Sequence, residues 1–308
     1  KTITALLEPL GGMRRFVKPG MRVLLKPNLL SVVEPSQCVT THPSVLRAVG
    51  ELVQDAGGEV WVGDSPASEK REGKDAWHTS GLAQVISELG AKHVPFRGAV
   101  LKELNGQKYY IARPVLEADM VINLPKLKTH ALTLYTGCVK NLFGTISGGR
   151  KQELHVLAPG IRDFSAILAD ILQLVKPALN IMDSVMGLEG NGPGAAGTPH
   201  AYNLLAASAD AVALDAVMSR SMGFPPKAIL HLEMANSRGL GVSDPDEIDV
   251  IGDPSLLDFG KLDLPRAPWY SRVPSWISPP FNPLVRGKGL DMLRANGVDV
   301  RCGLLAAE

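Results

Sequence analysis

The sequence predicts an α/β protein with a mostly parallel, doubly wound sheet and helices on both of its faces. Apolar runs rich in strand-forming residues alternate with segments whose apolar residues recur at helical spacing. Such alternation is typical of parallel strands joined by crossover helices. Hydrophobic residues make up 45% of the 308-residue chain, which suffices for a substantial core. We therefore predict one α/β ligand-binding domain over residues 1–260.

The predicted elements follow one another along the chain. Met21–Lys26 is a short apolar run stopped at Pro27 and predicts the first strand. Ser44–Ala56 has apolar residues at helical spacing and ends at two glycines, which predicts a helix. Further strands are predicted at Glu59–Val62, Lys92–Phe96, Asp119–Leu124, Leu179–Met182 and Asn203–Ala207, and further helices at Gly81–Leu89, Ser165–Val175 and Asp210–Ser221.

Two segments interrupt this alternation. Gly187–Pro199 has five glycines in thirteen residues and predicts a loop, either a lid over a ligand or an ordinary mobile surface loop. Leu264–Pro283 contains six prolines and two tryptophans, which predicts a Pro/Trp-rich arm without regular structure. We assign residues 261–308 to this arm and to a short C-terminal αβ-like segment at Leu290–Arg301.

Composition narrows the classes of partner and cofactor. Lys and Arg total 32 against 31 for Asp and Glu, so the net charge of +1 does not indicate a nucleic acid. No stretch approaches the length of a membrane span. Three cysteines do not suffice for a disulfide framework or for an iron–sulfur cluster held by this chain alone. These features favour a cytoplasmic location, while export stays open because the chain begins at Lys1 rather than Met.

Polar residues follow most of the predicted strands. Ligands of open parallel sheets bind beyond the carboxyl ends of the strands, so these residues are candidates for a site. Each one alone is also explained as a turn former or helix cap, although turns do not require lysine. The candidate ligand-binding residues are Lys26, Asn28, Ser65, Asn123, Lys126, Asn141, Glu189 and Asn191.

The segment 123–149 carries the densest cluster of these groups. Lys126, Lys128 and His130 alternate, so on an extended chain they share one face. Lys140 and several glycines follow, and lysines with glycines are what a phosphate or carboxylate site requires. A solvated basic loop is the alternative interpretation. The spacing fits neither a P-loop nor a dinucleotide fingerprint. We expect His130 to act as general acid and base, with Lys128 and Lys140 as the other catalytic groups.

A divalent metal site is a second interpretation of the same region. Asp64, His130 and Asp183 offer one imidazole and two carboxylates, a set that suits Mg²⁺, Mn²⁺, Fe²⁺ or Zn²⁺. His42 is either part of a helix cap together with Thr40 and Thr41 or a further group facing the ligand.

Several motifs together resemble the DUF362 family. They are KPN at 26–28, TTHP at 40–43, GDSP at 63–66, NLPKLKTH at 123–130, GCVKNLFG at 137–144 and DSVMGLEGNGP at 183–193. The resemblance runs from about Met13 to Ala216 and implies no particular reaction. Many family members carry a ferredoxin-like cysteine module, which implies iron–sulfur chemistry, but this chain has no such cysteine run.

Two functions remain open at this stage. The first is binding of a small phosphate- or carboxylate-bearing ligand at the strand ends, by an enzyme that uses a divalent metal or works without one. The second is a redox-accessory module that docks on an iron–sulfur protein through the aromatic and arginine residues of the arm. The docking residues are Arg266, Trp269, Tyr270, Arg272, Trp276 and Phe281.

Overall fold

The computed structural model of the chain describes residues 1–158, 160–225, 227–265 and 302–306. The strands are numbered in chain order. They are β1 (Arg22–Pro27), β2 (Glu59–Val62), β3 (Lys70–Arg71), β4 (Lys74–Asp75), β5 (Lys92–His93), β6 (Ala99–Leu104), β7 (Gln107–Ala112), β8 (Met120–Leu124), β9 (Lys126–His130), β10 (Leu134–Thr136), β11 (Leu179–Gly190), β12 (Gly197–Ser208), β13 (Val250–Ile251) and β14 (Cys302–Ala306).

The helices lie between these strands and precede the first of them. They are α1 (Thr2–Leu7), α2 (Met13–Phe16), α3 (Pro43–Asp55), α4 (Ala76–Thr79), α5 (Leu82–Glu88), α6 (Arg113–Glu117), α7 (Cys138–Asn141), α8 (Arg150–Leu157), α9 (Ile161–Val175), α10 (Ala211–Ser221) and α11 (Leu230–Ser237). Every helix and strand predicted between residues 21 and 221 is present, with most ends displaced by a few residues, whereas β11 and β12 are longer than predicted.

Within the described residues, ten strands form one mixed, mostly parallel sheet. Its main path runs β13-β14-β12-β11-β8-β1-β2-β5, and β9 and β10 extend it beside β11. Parallel pairing joins the central strands β2, β1, β8 and β11. Antiparallel pairing joins β11 to β12 and β12 to β14. The predicted parallel α/β sheet is therefore confirmed, with an antiparallel hairpin added on one side.

Both faces of the sheet are covered, and the residues of β1 show it. Leu24 lies in an apolar cluster with α7, α9, α10 and α11. Its neighbours Val23 and Leu25 lie in the opposite cluster, with α1, α3 and α5. Because successive side chains of a strand point to opposite faces, this division means that helices cover the sheet on both sides, as predicted.

The prediction of a loop over Gly187–Pro199 is wrong for most of that segment. Glu189 pairs with Thr198 and Gly190 with Gly197, so β11 and β12 form a long hairpin whose connection covers residues 191–196. The glycines serve close packing here. A Cβ atom on Gly187 would lie 2.4 Å from the carbonyl oxygen of Leu127, so glycine allows β9 to approach β11. Residues 187–190 and 197–199 form part of the sheet, and a lid formed by the connection stays a prediction.

The aromatic and arginine residues of the predicted arm lie outside the described residues, as does the segment 290–301. The strand β14 does lie in the sheet, where it pairs with β12 and β13. The domain boundary at residues 260/261 therefore stays a prediction. Among the helices that the structure describes, none is both long and apolar enough to cross a bilayer.

Candidate active site

A cavity of about 470 Å³ lies beyond the carboxyl ends of β1 and β2, and we call it the site cavity. Asn28 follows β1, and Ser65 follows β2. Lys128 and His130 reach it from β9, and α7 contributes Lys140 and Asn141. The opening of the cavity at the strand ends is the position that the parallel sheet predicts for a ligand. It brings together residues from positions 28 to 193 of the chain.

Two lysines of the predicted site are neutralised by buried carboxylates instead of lining the site cavity. Lys26 Nζ lies 2.8 Å from Asp64 Oδ1, and Lys126 Nζ lies 2.9 Å from Asp183 Oδ2. All four side chains are at most 2% exposed. Each pair joins the end of one strand to a neighbouring segment of the sheet. Their role is to hold the strand ends together, since breaking a buried pair leaves an uncompensated charge.

The two carboxylates also accept backbone hydrogen bonds. Asp64 accepts from the N–H groups of Leu29 and Ser65, each at 2.8 Å. Asp183 accepts from the N–H of His42 at 2.7 Å. Within the described residues no group of three or more His, Cys, Asp or Glu side chains is placed to hold a metal ion. The metal site expected at Asp64, His130 and Asp183 stays a prediction.

Three other lysines line the site cavity without a carboxylate partner, and we call them the cavity lysines: Lys128, Lys140 and Lys151. Among the described residues, no carboxylate oxygen lies within 4.0 Å of their amino groups. Lys128 donates to Asn28 Oδ1 at 2.5 Å and to the carbonyl of Val39 at 2.8 Å. Lys151 donates to the carbonyl oxygens of Ser65 and, at 3.2 Å, Pro66. The site cavity therefore presents positive charge.

Burial and mutual repulsion lower the pKa of each cavity lysine. Burial, with the charges of Lys126 and Lys140, lowers the pKa of Lys128 to about 7. Burial and the nearby Lys151 ammonium lower the pKa of Lys140 to about 8. The pKa of Lys151 also falls to about 8, again mainly through burial. A bound anion would stabilise the charged form of all three side chains, because it supplies the missing negative charge.

Beneath the site cavity, buried amides form a chain across three parallel strands. Asn123 of β8 donates to Asn180 Oδ1 of β11 at 2.9 Å. Asn141 of α7 donates to Asn123 Oδ1 at 2.8 Å, and its own oxygen lies 3.4 Å from Lys26 Nζ on β1. Asn123 was predicted to bind ligand directly, but it does not line the site cavity. Instead, it fixes the position of α7 on the sheet.

The helix α7 is held in place by Asp215, a residue that the sequence did not indicate for the site. Its carboxylate accepts from the N–H groups of Cys138 at 2.6 Å and Val139 at 2.9 Å, and Tyr135 donates to it at 3.1 Å. Burial raises the pKa of Asp215 to about 6. A Cβ atom on Gly137 would lie 2.1 Å from Asp215 Oδ1, so only glycine fits there. Asp215 thereby positions Lys140.

His130 reaches the site cavity with one ring nitrogen already in use. Nδ1 accepts from the backbone N–H groups of Leu132 at 3.0 Å and Thr133 at 3.2 Å. An accepting Nδ1 carries no proton, so the neutral ring carries its proton on Nε2. Burial, together with the charges of Lys140 and Lys128, lowers the pKa of His130 well below its ordinary value. These contacts suit a hydrogen-bond donor better than the predicted general base, a role that stays a prediction.

The TTHP segment serves the helix start and not the ligand. The ring of His42 accepts from the N–H of Ser44 at 3.3 Å and caps α3. Thr41 Oγ1 donates to the carbonyl of Leu124 and accepts from the N–H of Asn28 at 2.8 Å. Of the two interpretations of His42, the structure supports the helix cap.

Two predicted ligand-binding residues, Glu189 and Asn191, do not line the site cavity, although Pro193 of the hairpin connection does. Glu189 accepts from the backbone N–H of Asp263 at 2.9 Å, at the far end of the hairpin. Asn191 follows it in the connection and also does not line the site cavity.

Lys151 and His155 of α8 do line the site cavity. The sequence placed Lys151 in the basic cluster and offered His155 as a further candidate metal ligand, but neither was assigned a role in the site. Their lysine- and glycine-rich neighbourhood was the available signal.

The remaining wall of the site cavity is apolar in part, beside the polar side chains of Glu69, Thr136 and Gln152. Leu29 and Leu30 line one part of it, and Phe143 lies against Lys140. Gly144 and Gly148 bring backbone close to the interior. The combination of ammonium groups with an apolar wall fits a small organic anion that carries a carbon skeleton.

Comparison with known proteins identifies relatives of the chain. Residues 23–220 match the sequence model of a family described as "Domain of unknown function (DUF362)". A thylakoid-associated protein of Synechocystis is 40% identical over 268 residues, which cover 86% of this chain and 83% of that protein.

Two solved structures are similar to part of the chain. One is the lactate racemase apoprotein of Thermoanaerobacterium thermosaccharolyticum, with a TM-score of 0.33 and 10% identity over 54% of this chain and 44% of that one. The other is a protein of Thermotoga maritima, with a TM-score of 0.41 and 12% identity over 80% of this chain and 59% of that one. This chain spans less than two thirds of the length of either.

Proposed function

The chain is a member of the DUF362 family, whose description assigns no function, and from the site we propose that it binds a small organic anion as the substrate of an enzyme. The anion carries a phosphate or carboxylate group. One contrast supports the proposal. Lys26 and Lys126 are each paired with a buried aspartate, whereas the three cavity lysines have no carboxylate within 4.0 Å among the described residues. Burying a charge without a partner costs free energy, and a bound anion removes that cost.

The cavity volume sets the size of this ligand. About 470 Å³ lies within the range of small-molecule sites. Lys128 and Lys151 reach the interior from different elements, β9 and α8, so they can hold an anionic group between them. The apolar side chains of Leu29, Leu30 and Phe143 then contact the carbon skeleton. This arrangement fixes both the position and the orientation of the ligand.

The same groups supply chemistry to the bound anion. Lys128, with a pKa of about 7, exchanges a proton readily at neutral pH and can act as general acid or base. His130 donates a hydrogen bond from Nε2 to an oxygen atom of the ligand, because its Nδ1 is held by two backbone N–H groups. Such a fixed donor stabilises negative charge that develops on that oxygen. No step of this proposal requires a metal ion.

Isothermal titration calorimetry with sulfate tests the binding site. The charge of sulfate does not change across the neutral range, so the measurement reports the protein groups alone. We expect Lys128→Gln, Lys140→Gln and Lys151→Gln each to weaken binding by about tenfold or more, the effect of losing one charge-assisted contact. Lys102→Gln is the matched control, since Lys102 is an exposed lysine on β6. Equal losses in all four variants, or no binding by the unmodified protein, would overturn the proposal.

A further inference from the structure

The amino group of Lys140 differs from those of the neighbouring lysines. Lys26, Lys126, Lys128 and Lys151 all donate to oxygen atoms. Within the part of the chain that the structure describes, no oxygen acceptor is hydrogen-bonded to Lys140 Nζ. It lies 4.8 Å from the ring centre of Phe143 and 5.1 Å from that of Phe164. Lys140 therefore presents to the site cavity an amine that no acceptor orients elsewhere.

We propose that Lys140 is a nucleophilic amine that forms an imine with an anionic aldehyde or ketone bound in the site cavity. The proposal rests on the function proposed above and names the substrate class as an anionic carbonyl compound. Lys128 and Lys151 hold the anionic group, and the amine of Lys140 meets the carbonyl carbon. His130 donates to the carbonyl oxygen, where negative charge develops during the attack.

The surroundings of Lys140 favour its uncharged form. The rings of Phe143 and Phe164 attract the ammonium form through cation–π contacts, but no carboxylate among the described residues pairs with it, and burial of the amino group disfavours its charge. Cationic Lys151 opposes a second positive charge close by, and with a pKa of about 8 roughly a tenth of the amine is uncharged at pH 7. Desolvation beside another cationic group is a recognised way to activate a lysine nucleophile.

Lys128 is the alternative amine, and its contacts argue against it. Its Nζ is engaged by Asn28 Oδ1 and by the carbonyl of Val39, and its side chain is almost completely buried. Both acceptors orient the N–H groups of Lys128 and hold the nitrogen in place. An attacking amine must turn its lone pair toward the carbonyl carbon, which Lys140 can do without breaking a hydrogen bond that the described residues provide.

The step balances without a further reactant. The lone pair of Lys140 Nζ forms a bond to the carbonyl carbon, and the π electrons of the C=O bond move to oxygen. A proton passes from nitrogen to that oxygen to give a carbinolamine. The hydroxyl group then takes up the second proton of the nitrogen and leaves as water, so a C=N bond replaces the C=O bond.

Reductive trapping with glyoxylate, a small anionic aldehyde, tests the proposal. Cyanoborohydride reduces the imine to a stable carboxymethyl-lysine, which peptide mass mapping locates. We expect Lys140 to be labelled at least about tenfold faster than exposed Lys102, because its lower pKa leaves more uncharged amine. Saturating sulfate should slow labelling of Lys140 and leave Lys102 unaffected. Acetaldehyde, which lacks the carboxylate, should show a clearly smaller preference for Lys140, because only the lowered pKa then favours that amine.

The variant Lys140→Arg keeps a positive charge at this position but cannot form an imine. We expect it to lose the fast labelling, and its thermal unfolding curve checks the fold. If the unmodified protein binds sulfate but Lys140 is labelled no faster than Lys102, or if Lys128 is labelled first, the imine proposal is wrong and the anion site stands. If the unmodified protein does not bind sulfate, both proposals are overturned.

Discussion

Gly144 lies directly against Asp64, since a Cβ atom at position 144 would be 2.2 Å from Oδ1 of Asp64. The same atom would lie 2.7 Å from Nζ of Lys26. The buried ion pair between these two side chains occupies the space that any larger residue would need. Glycine at this position is therefore a packing requirement of the Lys26–Asp64 pair, which anchors the ends of β1 and β2 at the site cavity.

Gly144→Ala should separate this ion pair. We expect the free energy of unfolding to fall by about 1–3 kcal/mol, as in other overpacked cores, and sulfate binding to weaken because Asp64 lines the site cavity. Urea unfolding and calorimetry measure the two effects. Gly98→Ala is the control, since Gly98 is exposed and the nearest atom to an added Cβ is the side-chain Nε of Arg113, 3.7 Å away. An unchanged urea midpoint for Gly144→Ala would contradict the conclusion that the ion pair requires glycine at this position.

Asp215→Asn should affect both stability and binding. The carboxylate accepts three hydrogen bonds, whereas the amide of asparagine has only one acceptor oxygen. Buried donors are then left unpaired, which should lower the free energy of unfolding by about 1–3 kcal/mol. Because the helix α7 carries Lys140, sulfate affinity should fall as well.

Asp210→Asn is the matched control for Asp215→Asn. Asp210 is a buried aspartate whose pKa burial also raises to about 6, and it caps α10 through the N–H groups of Val212 and Ala213. We expect a similar loss of stability and unchanged sulfate affinity, since Asp210 does not line the site cavity or contact α7. Equal losses of affinity in both variants would show that Asp215 acts only through general stability.

Sulfate affinity should fall as pH rises. Folded-state pKa values of about 7 for Lys128 and about 8 for Lys140 and Lys151 place their loss of charge between pH 7 and 9. A dianion binds the charged forms and raises these pKa values, so binding at pH 8 should take up protons. Calorimetry in buffers of different ionisation enthalpy measures that uptake. Affinity that is constant from pH 6 to 9 would exclude the cavity lysines as the anion's partners.

His130 should remain neutral with its proton on Nε2. Its pKa lies well below the ordinary value, and its Nδ1 accepts two backbone hydrogen bonds. Nitrogen-15 NMR of labelled histidine distinguishes the two tautomers directly, and His130→Gln assigns the signal. We expect no titration between pH 6 and 8. A proton found on Nδ1 would reverse the role proposed here and restore His130 as a candidate base.

The strand ends of the site could be predicted because apolar runs stop there at proline, asparagine or aspartate. The strand β9 could not be distinguished from a solvated basic loop. Its lysines are buried because Asp183, 57 residues further along the chain, and backbone carbonyls accept their hydrogen bonds. Such long-range partners leave no local signal. Sequence spacing did indicate that Lys128 and His130 share a face, and both line the site cavity.

The contribution of α8 was underestimated for a related reason. Leu154 is the one buried residue among those that the structure describes in this helix, so its sequence reads as a polar surface segment. Only the folded chain shows that Lys151 and His155 turn toward the site cavity. The hairpin was misjudged because glycines required for close packing resemble glycines required for flexibility until the neighbouring backbone is known.

The placement of β14 ties the two ends of the described chain together. Ile3, Leu6 and Leu7 of α1 belong to the same apolar cluster as Leu305 of β14, and α1 contacts β12 and β14. A ribosome releases α1 first and β14 about 300 residues later. The helix α1 therefore precedes β14 by about 300 residues of synthesis, and a chain interrupted before residue 302 lacks the strand that completes the apolar cluster around Ile3, Leu6 and Leu7, which leaves that cluster open to chaperones and proteases.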